Sequence, residues 1–122
     1  MRGVGDSHAK VAGRLGEDLA VHFLVKNGYN ILERNFYSRF GEIDIIAGKS
    51  DYVVFVEVKY RKSASHSMPS EAVNFRKQEK MKKTALHYIG ENDISNKDFR
   101  FDIIEVTGAK ELKINHIEHA FY

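Results

Sequence analysis

YVVFVEVKY, residues Tyr52 to Tyr60, is the stretch that decides the fold. It is almost wholly β-branched or aromatic, the composition of a strand, and its apolar residues run on without alternating. A strand that is apolar on both faces must be covered on both, so this one is central in its sheet. Inside it sit Glu57 and Lys59. They are two positions apart and so share a face. An unpaired buried carboxylate is costly, so Glu57 must find a partner, a proton or a cation.

Upstream, Gly48-Lys49-Ser50-Asp51 reads as a hairpin turn and Glu42 to Ala47 (EIDIIA) as the strand it returns from. Ser38-Arg39-Phe40-Gly41 is a further turn, preceded by a loosely alternating strand from Tyr29 to Phe36. Three strands joined by short turns form an antiparallel meander. Before them, Val11, Leu15, Leu19 and Phe23, joined by Ala12, Ala20 and Leu24, predict an amphipathic helix from about Ala9 to Asn27, stopped at Gly28 in a left-handed cap. Residues 1–8 read as a loose polar arm. Downstream, residues 61–70 (RKSASHSMPS) read as a polar, mobile loop ending at Pro69, and Glu71 to Val73 as a short helical turn. Asn74 then caps a helix from Phe75 to about Ile89, with Phe75, Met81, Ala85, Tyr88 and Ile89 apolar and Gly90 closing it. Phe99 to Val106 (FRFDIIEV) is a fourth strand broken by Asp102 and Glu105, and residues 111–118 a weak fifth. The expectation is one α/β domain over 1–122, a sheet with helices on its faces.

Length and composition agree. The chain has 122 residues, 43% of them hydrophobic and 30% charged, with a formal net charge of +2. That is one soluble globular domain. With no Cys there can be no disulfide, thiolate zinc site or cysteine nucleophile, which fits a reducing, cytoplasmic setting. No apolar run is long enough to span a membrane, and the first residues lack the apolar core of a signal peptide. Phosphate loops of Walker or Rossmann spacing and a serine nucleophile elbow are absent.

A second acid stands where it is not expected: Asp44, between Ile43 and Ile45, two positions from Glu42 and so on the same strand face. If the two strands pair through the 48–51 turn, Asp44 lies near the level of Phe55 to Glu57, and the Asp44 and Glu57 side chains can converge. Two convergent carboxylates suit Mg²⁺, with Mn²⁺ able to substitute. Lys59 beside them could orient water or stabilise charge in a transition state. The competing reading is a plain ion-pair cluster in a strand. Glu17 follows Gly16 inside the first helix and lies off the centre of its apolar stripe, so by position it is an ordinary solvated glutamate. Gly16 argues gently the other way, since a helical Gly costs about 1 kcal/mol against Ala and is often kept where something approaches closely. His116 and His119 form an HxxH pair, but that spacing does not put both rings on one side of a strand.

The small net charge hides an asymmetry. Lys59, Arg61, Lys62, Arg76, Lys77, Lys80, Lys82 and Lys83 face only Glu71 and Glu79 in the same segment, so 59–83 is +6 and the remainder −4. A phosphate backbone laid beside a metal at Glu57 would meet this surface, with Gln78 a polar contact at its rim. A solvated Lys-rich helix face is the other reading.

In combination, Gly16-Glu17, GEIDIIA (41–47), VFVEVKYR (54–61), SEAV (70–73), RKQ (76–78), RFDIIEV (100–106) and IEHAF (117–121) resemble the YraN family of small bacterial proteins. That family is similar to Holliday-junction resolvases and to the PD-(D/E)XK, restriction-endonuclease-like nucleases. The resemblance covers about Ala9 to Phe121 and implies an αβββαβ core. It implies that Asp44 and the triplet Glu57-Val58-Lys59 form a divalent-metal nuclease site. Asp44, Glu57 and Glu17 would hold Mg²⁺ with the Val58 carbonyl, and Lys59 would act on the attacking water. Ile43 stands where the motif has Pro, which is not a ligand. The implied activity is hydrolysis of phosphodiester bonds in structured DNA, with Arg61, Lys62, Arg76, Lys77, Gln78, Lys80 and Lys83 contacting nucleic acid. The alternatives are a non-catalytic nucleic-acid-binding module acting with recombination or repair proteins, and an RNA-processing nuclease. Resolvases work as homodimers because two symmetric cuts need two sites; whether this chain dimerises is left open.

Overall fold

The computed structural model describes residues 4–62 and 73–122, the first nine of these by backbone alone. The loop expected over 61–70 and the turn expected over Glu71–Val73 lie mostly outside the described residues. The elements are α1 (Val4–Lys26), β1 (Asn30–Ser38), β2 (Gly41–Lys49), β3 (Tyr52–Arg61), α2 (Phe75–Glu91), β4 (Asp98–Thr107) and β5 (Lys113–Phe121). They form a mixed five-stranded sheet in the order β1-β2-β3-β4-β5. β3 is therefore the middle strand, as its near-continuous apolar run requires. The first three strands are an antiparallel meander, β4 runs parallel to β3, and β5 returns antiparallel to β4. This architecture is consistent with a restriction-endonuclease-like α/β core.

Each helix covers one face. Ala20 and Leu24 of α1 pack with Ile45, Ala47, Val54, Val56, Ile104 and Val106. Ala85 and Tyr88 of α2 pack on the other face with Ile43, Ile46, Val53 and Phe55. Beside them Met81 packs with Val73, Ile103 and Phe121. The stripe on α1 differs from the expected one. Leu15 is half exposed, and the buried line runs Gly16, Ala20, Leu24. The reason is close approach: a Cβ on Gly16 would sit 3.3 Å from Tyr60 Cβ, so the glycine lets the helix lie directly on β3.

Several boundaries move. Helix α1 begins at Val4, so residues 4–8 are helical and not part of an arm. It ends at Lys26, and Gly28 takes the expected left-handed conformation at φ 89°. Asn74 caps α2, its side chain accepting from the Lys77 amide at 2.9 Å. Gly90 does not close that helix; the chain stays helical to Glu91 and is capped at Asn92. Phe75, expected on the apolar face of α2, is exposed.

Candidate active site

The sheet opens at one end, between β2 and β3. Their backbone partners run from Lys49↔Tyr52 to Ile45↔Val56 and stop there. Two residues past Val56, the Val58 amide donates to the Asp44 side chain, at 2.8 Å to Oδ2. At the same level the alternation of β2 slips: Ile43 faces α2 while Ile45, two residues on, faces α1. The neighbouring strand accommodates the slip at Asn35, which has φ 52°. Asn is among the few residues that tolerate that conformation. Asp44 thus lies at the seam of the split sheet, and the expectation that it simply shares a face with Glu42 is replaced by this geometry.

Glu57 follows Phe55 on the α2 side of β3, and its side chain is only 6% exposed. Its Oε1 lies 3.4 Å from Lys59 Nζ and 3.5 Å from Lys77 Nζ. Its Oε2 is buried with no hydrogen-bond partner. Lys77, expected to contact nucleic acid, therefore reaches from α2 to the carboxylate. Glu17 approaches from the α1 side. Its side chain is 12% exposed and so is not the solvated helix glutamate its position predicts. Its Oε1 accepts from Arg34 Nε and Nη2 and from Asn35 Nδ2, at 3.2, 3.1 and 2.9 Å.

The acids act on one another through Asp44. Burial, and then the charge of Glu57, push its carboxyl up to about 7; Glu17 and Glu42 add to this and the Val58 amide opposes it. A carboxyl held that high beside other carboxylates is a place where positive charge is wanted. A cleft of about 520 Å³ opens here, lined by Gly13, Arg14, Glu17, Asn35, Glu42, Asp44 and Val58; Glu57 and Lys59, on the α2 side of β3, are not in its lining. Oxygen donors, a raised Asp44 and the orphaned Glu57 Oε2 fit a hard divalent cation that keeps part of its water shell. Among the described residues no three His, Asp or Glu side chains are gathered closely enough to hold an ion as they stand. Glu17 Oε1 is engaged by Arg34 and Asn35.

The other candidate residues divide. Arg76, Lys80, Lys83 and Lys62 are exposed. Arg61 turns to the buried Glu105, Nε to Oε2 at 3.3 Å. Gln78, expected at the rim, donates its Nε2 to the Val73 carbonyl at 2.9 Å and ties the entry of α2. The HxxH pair holds nothing jointly. His116 Nε2 lies 2.6 Å from Asp102 Oδ2, whereas His119 contributes its backbone amide to the same aspartate. Arg34, Asn35 and Glu42 belong to the site and were not singled out from sequence. Asn35 inside a strand pattern was the available signal.

The uncharacterised protein family UPF0102 matches over residues 16–106, which includes Glu17, Asp44, Glu57 and Lys59. A UPF0102 protein of Alkaliphilus metalliredigens is 48% identical, covering 93% of this chain and 99% of that one. One from Clostridium acetobutylicum is 52% identical over 92% and 94% of the two chains. One from Myxococcus xanthus is 40% identical over 99% and 97%.

Proposed function

The chain belongs to the uncharacterised protein family UPF0102, the YraN family, and from that premise we propose that it is a metal-dependent nuclease that hydrolyses phosphodiester bonds in structured DNA. The observation that carries the reading is the pair Asp44 and Glu57 at the open end of β2 and β3, with Lys59 Nζ 3.4 Å from Glu57. Asp44 and Glu57 would hold Mg²⁺, or Mn²⁺ in its place, with the Val58 carbonyl, and with Glu17 once it leaves Arg34. The ion when bound supplies a Lewis acid for a phosphoryl oxygen. Lys59 holds the attacking water in line and stabilises the negative charge that gathers on phosphorus. Lys77 Nζ lies 3.5 Å from the same Glu57 oxygen and pairs with it from α2. The exposed Arg76, Lys80 and Lys83 bind the phosphate backbone beside the cleft, and a cytoplasmic setting goes with that substrate.

A second reading has its own support. Both lysines pair with Glu57, and Arg34 with Asn35 holds Glu17, which is also how a non-catalytic nucleic-acid-binding module of this fold would look. One assay separates them: incubation with Mg²⁺ or Mn²⁺ on linear, flapped, four-way and single-stranded DNA and on RNA, with Glu57→Ala as control. Cleavage by the wild type and none by Glu57→Ala is the expected result. Binding without cleavage on every substrate would leave the module.

A further inference from the structure

The end of the β1–β2 hairpin is built differently from the rest of the surface. Strand β1 is an edge strand, and Tyr37 stands on it 70% exposed. Among the described residues nothing holds its ring or hydroxyl. Tyr37 is the register partner of Glu42, which lines the cleft, so it stands on the strand next to the site. Around the turn, the Arg39 guanidinium lies 4.9 Å over the Phe40 ring and Lys83 Nζ lies 5.8 Å from it. The turn itself is fixed. Ser38 Oγ accepts from the Phe40 amide at 3.0 Å and is hydrogen-bonded to Thr84 Oγ1 of α2 at 3.2 Å. Two cations are thus organised on one side of a rigid turn and a free aromatic ring on the other.

Duplex DNA would use only the cations, because its bases show their faces to one another. A ring left bare beside fixed cations suits a strand with unpaired bases, where aromatic stacking adds to phosphate contact. We propose that this turn is a contact for unpaired nucleotides, in which Tyr37 stacks on a base while Arg39 and Lys83, set across Phe40, hold the phosphates that flank it. The inference rests on the reading of the partner as nucleic acid and names the form of it that the site prefers.

Fluorescence anisotropy in EDTA, with no cleavage, tests it on labelled single-stranded, flapped and blunt duplex DNA. The wild type should bind the first two more tightly than the duplex. Tyr37→Ala should remove about tenfold of that preference with the salt dependence unchanged, and Tyr37→Phe should keep it. Arg39→Ala with Lys83→Ala should weaken all three substrates and flatten the salt dependence. Equal affinity of the wild type for all three, or an unchanged preference in Tyr37→Ala, overturns the inference and leaves the nuclease reading standing. The preference without cleavage in Mg²⁺ or Mn²⁺ supports the inference and removes the nuclease. No binding to any oligonucleotide, expected if the turn docks a protein, overturns both.

Discussion

Two aspartates sit in strands of the same sheet and have opposite surroundings. Asp102 of β4 is fully buried and meets donors on every side: Arg100 Nε and Nη2 at 2.8 Å, His116 Nε2 at 2.6 Å and the His119 amide at 3.1 Å. Burial works to raise its carboxyl, but the His116 and Arg100 hydrogen bonds outweigh it and hold the group below the ordinary range. Arg100 in turn donates to Tyr29 and reaches Glu118. Asp44 of β2 meets one amide, three acids and an open cleft, and its carboxyl rises. The first arrangement is complete and locks β5 and the entry to β1 onto β4. The second is short of positive charge and has room for a ligand to bring it. A buried acid is therefore informative about function only together with what faces it.

The comparison breaks first at Asp102. Asp102→Ala leaves Arg100 buried without its counter-charge, and should cost about 3–5 kcal/mol of folding stability in a denaturant melt. A depressed carboxyl stabilises the fold above its ordinary, unfolded value near 4, and that contribution is lost as pH falls through the lower folded value. Acid unfolding below about pH 4 should therefore be sensitive to this residue. A variant as stable as wild type would mean that the cluster is not a lock.

Asp44 has the opposite sign. Its folded carboxyl is raised from 3.8 to about 7, so the native state keeps a proton that the unfolded chain has released. Stability should fall as pH rises between those values, and the full burden is present above about 7. Asp44→Asn should remove it and stabilise the protein there by up to about 4 kcal/mol, at about 1.4 kcal/mol for each pH unit that separates the folded from the unfolded value. Mn²⁺ binding by calorimetry should weaken as pH drops through the same region, because the ion and the proton compete. An Asp44→Asn protein that melts below wild type above pH 7, or that still binds Mn²⁺ as tightly, would contradict the electrostatic picture.

Lys59 gives a smaller effect and separates chemistry from structure. In the nuclease reading Lys59→Ala should lose cleavage by about 10² or more, roughly 2.7 kcal/mol of transition-state stabilisation, while DNA and Mn²⁺ are still bound. Lys77 remains on Glu57 in that variant, so the fold should hold. A variant that melts far below wild type would instead make Lys59 the neutraliser of a buried glutamate.

The smallest expected change in stability is at Arg34, whose side chain is 39% exposed; its loss should cost no more than about 1 kcal/mol. Arg34→Ala nevertheless releases much of the hold on Glu17 and should tighten Mn²⁺ binding if Glu17 joins the ion. Unchanged affinity would leave Glu17 as part of the helix-to-strand brace only.

Much of this was legible in the chain. The near-continuous apolar run in 52–60 demanded a central strand, and the structure places β3 there. Apolar periodicity located both helices, and Asn74 and Gly28 marked their ends, because caps and periods are local chemistry. Asp44 and Glu57 stood out because an acid inside an apolar strand contradicts its neighbours. What stayed illegible depends on neighbours far along the chain. Asp102 and Glu57 look alike in sequence, and only the return of β5 brings His116 and the His119 amide to one of them. Glu17 is a helix-surface residue until Gly16 lets α1 settle on Tyr60 and carries it to Arg34 and Asn35. Lys77 and Arg61 were cations on a basic run, and turn inward because β3 and β4 set buried acids in their reach. Which residues carry charge into the sheet could be read from the order of amino acids alone. Which of those charges are answered there could not, since electrostatic energy in a poorly screened interior depends on distances between residues brought together from the whole chain.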